Sequence, residues 1–384
     1  MKRKLFAVLA VSMFAFASCS DDDPIVGPEP GSELVELSGN IDKDATVKAG
    51  EVTLKNATIV RAGATLTIPA GTTITATDQT AYLLVERGAK IIAQGTADKP
   101  IVFTASNKKS GAWGGLIING KAPISRASES AKSEFQTEIN ANILYGGDDV
   151  ADNSGILDYV SILYTGSNIS DDKEHNGLTL NAVGNGTKIS NIYILDGADD
   201  GIEFFGGSVN VTNLLVVNSE DDMFDFTQGY TGTLTNAYGI WSENFTTNEA
   251  DPRGIEADGN YDGKTPQDIG QSNFTVKDMT IVHRATAEGK AGEMNDIVKI
   301  RRGAKATITN LKIEVGATSK FGDIFDFTDG AGAGNATSTV TYTFAPVDLF
   351  DLAKVKAEGA TLTKNDTQTG ANTSVFGWTG YTFK

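Results

Sequence analysis

The sequence predicts an all-β fold: a right-handed parallel β-helix, a single-stranded β-solenoid closed by a C-terminal cap. The composition and two repeated patterns carry that expectation. Of 384 residues, 42 are Gly and only 9 are Pro, with Thr and Asn abundant and long helix-forming runs scarce. This suits β structure with many tight turns and speaks against helical bundles and doubly wound α/β folds.

The first pattern reads apolar, polar, Asn, then alternating apolar residues. Its marker positions are Asn56, Asn191, Asn213, Asn236, Asp278 and Asn310, with Tyr159 in the same place in one copy. From Tyr159 onward the spacings are 32, 22, 23, 42 and 32 residues. A base period near 22 with loop insertions is the signature of stacked coils that keep their strands and vary one loop. The second pattern follows each marker, as in Asp200-Gly201-Ile202-Glu203-Phe204, Asp222-Met223-Phe224-Asp225-Phe226 and Asp323-Ile324-Phe325-Asp326-Phe327. Arg253 to Ala257 and Asp296 to Ile300 align with it. Alternation turns Ile202, Phe204, Phe224, Phe226, Phe325 and Phe327 inward and sends Glu203, Asp225 and Asp326 outward.

In chain order, residues 1–18 read as a cleaved export signal, with Lys2, Arg3 and Lys4 ahead of an apolar run too short to span a bilayer. Cys19, the sole cysteine, is placed for acylation, in an arrangement that resembles a bacterial lipoprotein signal. Residues 19–36 then form an acidic and Pro/Gly-rich tether beginning Ser20-Asp21-Asp22-Asp23. Residues 37–345 are expected to hold the β-helix, its first coils visible around Ile59–Thr73 and Leu84–Thr96. An insertion at 124–153 contains a polar stretch, Ser128 to Asn142, compatible with a short helix, and is a candidate groove wall. Residues 346–384 lose the repeat and are expected to cover the open end.

The runs Trp113-Gly114-Gly115-Leu116-Ile117-Ile118-Asn119-Gly120, Asp199-Asp200-Gly201-Ile202-Glu203-Phe204-Phe205 and Gly254-Ile255-Glu256-Ala257-Asp258-Gly259-Asn260 resemble a family of Bacteroidetes outer-membrane surface lipoproteins with pectin-lyase-like β-helices. The Ser plus acidic run after Cys19 resembles the export signal of such lipoproteins. The resemblance implies the fold and a lipid-anchored position facing the cell exterior. It implies no reaction, because members of this fold include lyases, hydrolases, adhesins and passive binders.

The formal charge is −17, which repels nucleic acid and excludes it as a partner, while favouring cations. If the coils stack in register, Glu203, Asp225 and Glu256 lie about 5 Å apart, close enough to raise each other's pKa unless a cation intervenes. Lys299 falls between Glu256 and Asp326 and offers to neutralise both. Asp199, Asp200, Glu220, Asp221 and Asp222 gather at the preceding turn. Oxygen donors without thiolates point to Ca²⁺. The loop Asp258-Gly259-Asn260-Tyr261-Asp262-Gly263 matches the first half of a calcium loop, with Asp268 nearby, and Asp148, Asp149 and Asp152 form a weaker oxygen-rich loop. Paired carboxylates also suit a hydrolase, and Arg253 or Lys299 would serve as the base of a calcium lyase. Trp113 and Trp241 are candidates for stacking on sugar rings, although the Gly-rich setting of Trp113 favours a core or packing role.

Three functions stay open: a lipoprotein that binds a glycan or other nutrient with Ca²⁺, serving a TonB-type transporter; a Ca²⁺-dependent polysaccharide lyase or glycoside hydrolase; and an adhesin or structural rod.

Overall fold

The computed structural model describes residues 33–170 and 173–383, and the signal, Cys19 and most of the tether lie outside them. The strands join into one 24-stranded sheet wound as a helix, and every pairing within it is parallel. One stack is formed by Gly155–Leu163, Lys188–Leu195, Asn210–Val217, Thr233–Trp241, Asn273–His283 and Lys305–Val315, each paired with the next. A second is formed by Leu178–Asn181, Ile202–Phe205, Phe224–Thr227, Arg253–Asp258, Glu293–Arg301 and Lys320–Asp326. In the early coils Gly155–Leu163 faces two separate strands, Lys90–Gln94 and Ile101–Ala105, where later coils have one long strand.

The marker residue explains that long strand. Asn56, Tyr159, Asn191, Asn213, Asn236, Asp278 and Asn310 all have φ between 50° and 59°. One left-handed residue bends the strand without breaking it, and Asn and Asp tolerate that conformation better than other side chains with a Cβ. Their amides also bond from coil to coil: Asn213 Nδ2 donates to Asn191 Oδ1 at 2.9 Å and Asn236 Nδ2 to Asn213 Oδ1 at 2.8 Å. Inside the coils Phe204, Phe226 and Phe274 stack at centroid distances of 5.1 and 4.3 Å. Each fully buried Phe contributes about 1.5–3 kcal/mol relative to exposure.

Two expectations about the loops and the end are corrected. The stretch Ser128 to Asn142 holds no helix; Phe135–Gln136 pairs antiparallel with Leu144–Tyr145, because the aromatic side chains fold back onto the solenoid rather than forming a helical face. Nor does the repeat stop at residue 345. Val355–Lys356 and Thr361–Lys364 pair with the preceding coil. The last segment then runs back along the flank, where Phe376, Trp378, Tyr381 and Phe383 cover the outward apolar residues Tyr193, Leu215, Tyr238 and Val282. Leu349, Phe350, Val355 and Leu362 meanwhile pack against the main core at the coil end, as expected of a cap.

Candidate functional site

The acidic column forms as its spacing predicts. Thr179, Glu203, Asp225, Glu256, Lys299 and Asp326 occupy one register line across successive coils. The preceding turn stacks in the same way, with Asp200 Oδ1 accepting the Asp222 backbone N–H at 2.9 Å. What the spacing did not predict is enclosure. Asp225 is 9 % exposed, Asp200 6 % and Asp222 2 %. Ile124, Phe135 and Tyr145 of the insertion and Tyr261 of a later loop pack over Phe205 and Ala182 beside the column.

Charge divides the column in two. In the downstream part Arg253 lies 3.2 Å from Glu256, 2.6 Å from Asp251 and 3.5 Å from Asp296. Arg301 bonds Glu256 and Asp258, and Arg302 bonds Asp258 at 2.8 Å. Lys299 Nζ donates to Asp326 at 2.7 Å. In the upstream part, among the described residues, no Lys, Arg or His nitrogen lies within ion-pair distance of Asp199, Asp200, Glu203, Asp221 or Asp225. Asp200, Glu203 and Asp225 each place an oxygen within 4.8 Å of the others, as do Asp199, Asp200 and Asp221. Asp225 is hydrogen-bonded to Glu203, yet its Oδ1 has no partner, and neither does Oδ1 of Asp222.

Burial, and then the neighbouring carboxylates, push Asp199, Asp200, Glu203, Asp222 and Asp225 well above the usual carboxylate range. Asp221 is pushed up to about 7 by the same causes. Two ionised carboxyls cannot hydrogen-bond each other, since both only accept. The Glu203–Asp225 contact therefore needs either a shared proton or a cation. Ca²⁺–oxygen distances of about 2.3–2.6 Å place ligand oxygens up to roughly 5 Å apart, so the upstream carboxylates fit that ion in type and spacing.

A narrow cleft of about 20 Å³, room for a single water-sized group, opens next to this cluster, between Glu138 and Ile139 of the insertion and Ile169 and Glu174 of a short hairpin. Its floor includes Asn176 and Thr179, and Asn176 Nδ2 donates to Glu203 Oε2 at 2.6 Å.

A family model described as a pectate-lyase-like β-helix domain matches residues 39–380. The chain belongs to that family. No curated protein and no solved structure matches it.

Within this pectate-lyase-like β-helix domain several sequence-predicted residues take other roles. Trp113 and Trp241 are fully enclosed inside the coils, where their indole N–H groups donate to the backbone oxygens of Leu163 and Ser219 at 2.8 Å. They pack the core and cannot stack on a sugar. The loop from Asp258 to Gly263 is not a calcium cage: Asp258 is held by Arg301 and Arg302, Asn260 by Gln271 and Thr265, and Asp262 by Lys264. In the loop at 148–152, Asp149 caps the Ala151 N–H, Asp148 pairs with Arg126 and Asp152 bonds Ser154. Lys299 neutralises Asp326 alone, since Arg253 and Arg301 take Glu256. Neither Arg253 nor Lys299 is a free base: burial opposes the charge of Arg253, but Asp222, Glu256 and Asp251 outweigh it and raise its pKa further. Sequence reasoning singled out the insertion as a groove wall but not Glu138 and Tyr145 themselves, which reach the site from about 60 residues away in the chain.

Proposed function

We propose that this protein is a non-catalytic binding lipoprotein, anchored through Cys19 in the outer membrane and facing the cell exterior. It captures a glycan beside a calcium ion held by Asp200, Glu203 and Asp225, with Asp222 contributing, and serves a TonB-type transporter. The observation that carries the reading is the enclosed upstream cluster, in which the buried Asp225 carboxyl has an oxygen without a partner and, among the described residues, no Lys, Arg or His nitrogen within ion-pair distance. A buried carboxylate cluster without a counter-ion opposes folding, and a cation bound only to the folded state removes that cost. The locked state of Arg253 and Lys299 supports binding over a lyase reaction. The sequence from Lys2 to Asp23 supports the address.

The test compares thermal and chemical unfolding in millimolar Ca²⁺ and in chelator. Stabilisation by about 2.7 kcal/mol is expected at 100 times the dissociation constant, and identical curves would overturn the calcium site. Added protease should remove the protein from intact cells; protection would overturn the surface position.

A further inference from the structure

We propose that the cleft beside the acidic cluster receives the ammonium group of its ligand, so that the captured glycan is an amino sugar with free amines. This deepens the glycan-binding reading and rests on it for the word sugar, but not for the word ammonium.

The lining is one-sided in its chemistry. Glu138 and Glu174 both line the opening, and among the described residues no Lys or Arg lines it. Lys173, outside the lining, pairs with Glu138 at 3.5 Å from a side chain that is 41 % exposed, and a ligand ammonium group would take its place there. Asn176 is 3 % exposed, and its only donated bonds, through Nδ2, run to Glu203 and Thr179. Among the described residues its Oδ1 has no hydrogen-bond partner. A buried acceptor left unmatched costs roughly 1–3 kcal/mol, and a donor from a ligand removes that cost. Glu138, Glu174 and the Asn176 carbonyl are all acceptors, and an ammonium group carries three donors and one positive charge. An anionic glycan finds the opposite here: two carboxylates in the lining, with Lys173 at the rim already paired to one of them.

The opening admits only part of an amino sugar. Ile117, Ile139 and Phe205 border the opening with apolar surface, so the ammonium group enters and the ring of the sugar stays outside. The Thr179 and Asn181 side chains add polar groups to the lining. His175, which packs against Tyr82 at a centroid distance of 5.2 Å, adds no charge, because burial holds its pKa down at about 4.

Calorimetric titration of the full protein in saturating Ca²⁺ tests this, at a pH where sugar amines are protonated. Three probes are used: glucosamine tetrasaccharide, its fully N-acetylated counterpart and 1,5-diaminopentane. The amine-bearing tetrasaccharide should bind at least tenfold more tightly than the acetylated one, and the diamine should compete with it. Glu138→Gln and Glu174→Gln should each weaken amine binding about tenfold. These changes conserve shape at partly exposed positions, and circular dichroism confirms folding. Equal affinity for the two tetrasaccharides, or no binding of either amine probe, overturns the ammonium assignment. Amine binding unchanged in both variants overturns the location. Binding of the diamine without either sugar supports the ammonium site and overturns the glycan reading.

Discussion

The two halves of the acidic column solve one electrostatic problem differently. Glu203 and Asp225 share a strand position with Glu256 and Asp326, one coil after another, and all four are largely enclosed. Downstream, the chain supplies its own cations: Arg253, Lys299, Arg301 and Arg302 meet Glu256, Asp258, Asp296 and Asp326. Upstream, Arg253 reaches Asp222 only at 4.0 Å, and among the described residues no Lys, Arg or His nitrogen lies within ion-pair distance of Asp200, Glu203 or Asp225. The consequence shows in the acids themselves. Burial acts on Asp326 too, but the bonds from Lys299 and Thr328 outweigh it and bring its carboxyl below the usual value, whereas burial and like charges carry Asp225 well above it. Burial alone therefore does not mark a functional acid; burial without a built-in counter-charge does.

The sharpest way to break this comparison is to remove a cation from the compensated half. Arg253→Met strips the shared partner from Asp251, Glu256 and Asp296 and should cost about 3–5 kcal/mol, as expected for breaking a buried ion pair on one side. Denaturant unfolding in Ca²⁺ and in chelator should report the same loss. If Ca²⁺ restored most of it, both halves would be cation sites and the distinction would fail.

A smaller effect is expected upstream. Asp225→Asn should leave stability in chelator within about 1 kcal/mol of the parent, because it removes repulsion as well as a hydrogen-bonding group. The same change should abolish the calcium-dependent rise in melting temperature. A calcium response that survived Asp225→Asn would separate the cation from the cluster.

The smallest effect is a slope against pH. In chelator Asp221 keeps its proton in the folded chain up to about pH 7, while the unfolded chain releases it near the ordinary value of 3.8. Between those pH values the folded state binds the extra proton, so this group's contribution to stability is present below 3.8 and is lost as pH rises towards 7. The slope approaches about 1.4 kcal/mol per pH unit for one proton. Asp326 has the opposite sign: its contribution is present above 3.8 and fades as pH falls through its lowered value. Urea titrations of the parent and Asp221→Asn from pH 4 to 7 should differ in slope in chelator; parallel slopes would show that Asp221 is solvated like an ordinary surface acid.

The repeat was legible because a solenoid writes its geometry locally. Asn191, Asn213 and Asn236 each need only their own left-handed turn and a neighbour one coil away, so the period in the chain is the period in space. The register of Glu203 on Asp225 on Glu256 followed from the same property. The apolar alternation around Phe204 and Phe226 likewise told which side chains turn inward. For Trp113 the Gly-rich setting already favoured a packing role over sugar stacking, and its indole fills the coil interior.

By itself, then, the sequence determined the stacking, the inward and outward faces and the line of acids, since each depends on residues within one coil of each other. Only the tertiary structure decided that this line is enclosed, that Arg253 and Arg301 serve one half of it, and that Glu138 and Tyr145 wall the other. Those contacts join insertions of unrelated length to distant coils, and a loop's landing place is set by the surface it buries, such as Phe135 and Tyr145 against Phe205, rather than by any period in the chain.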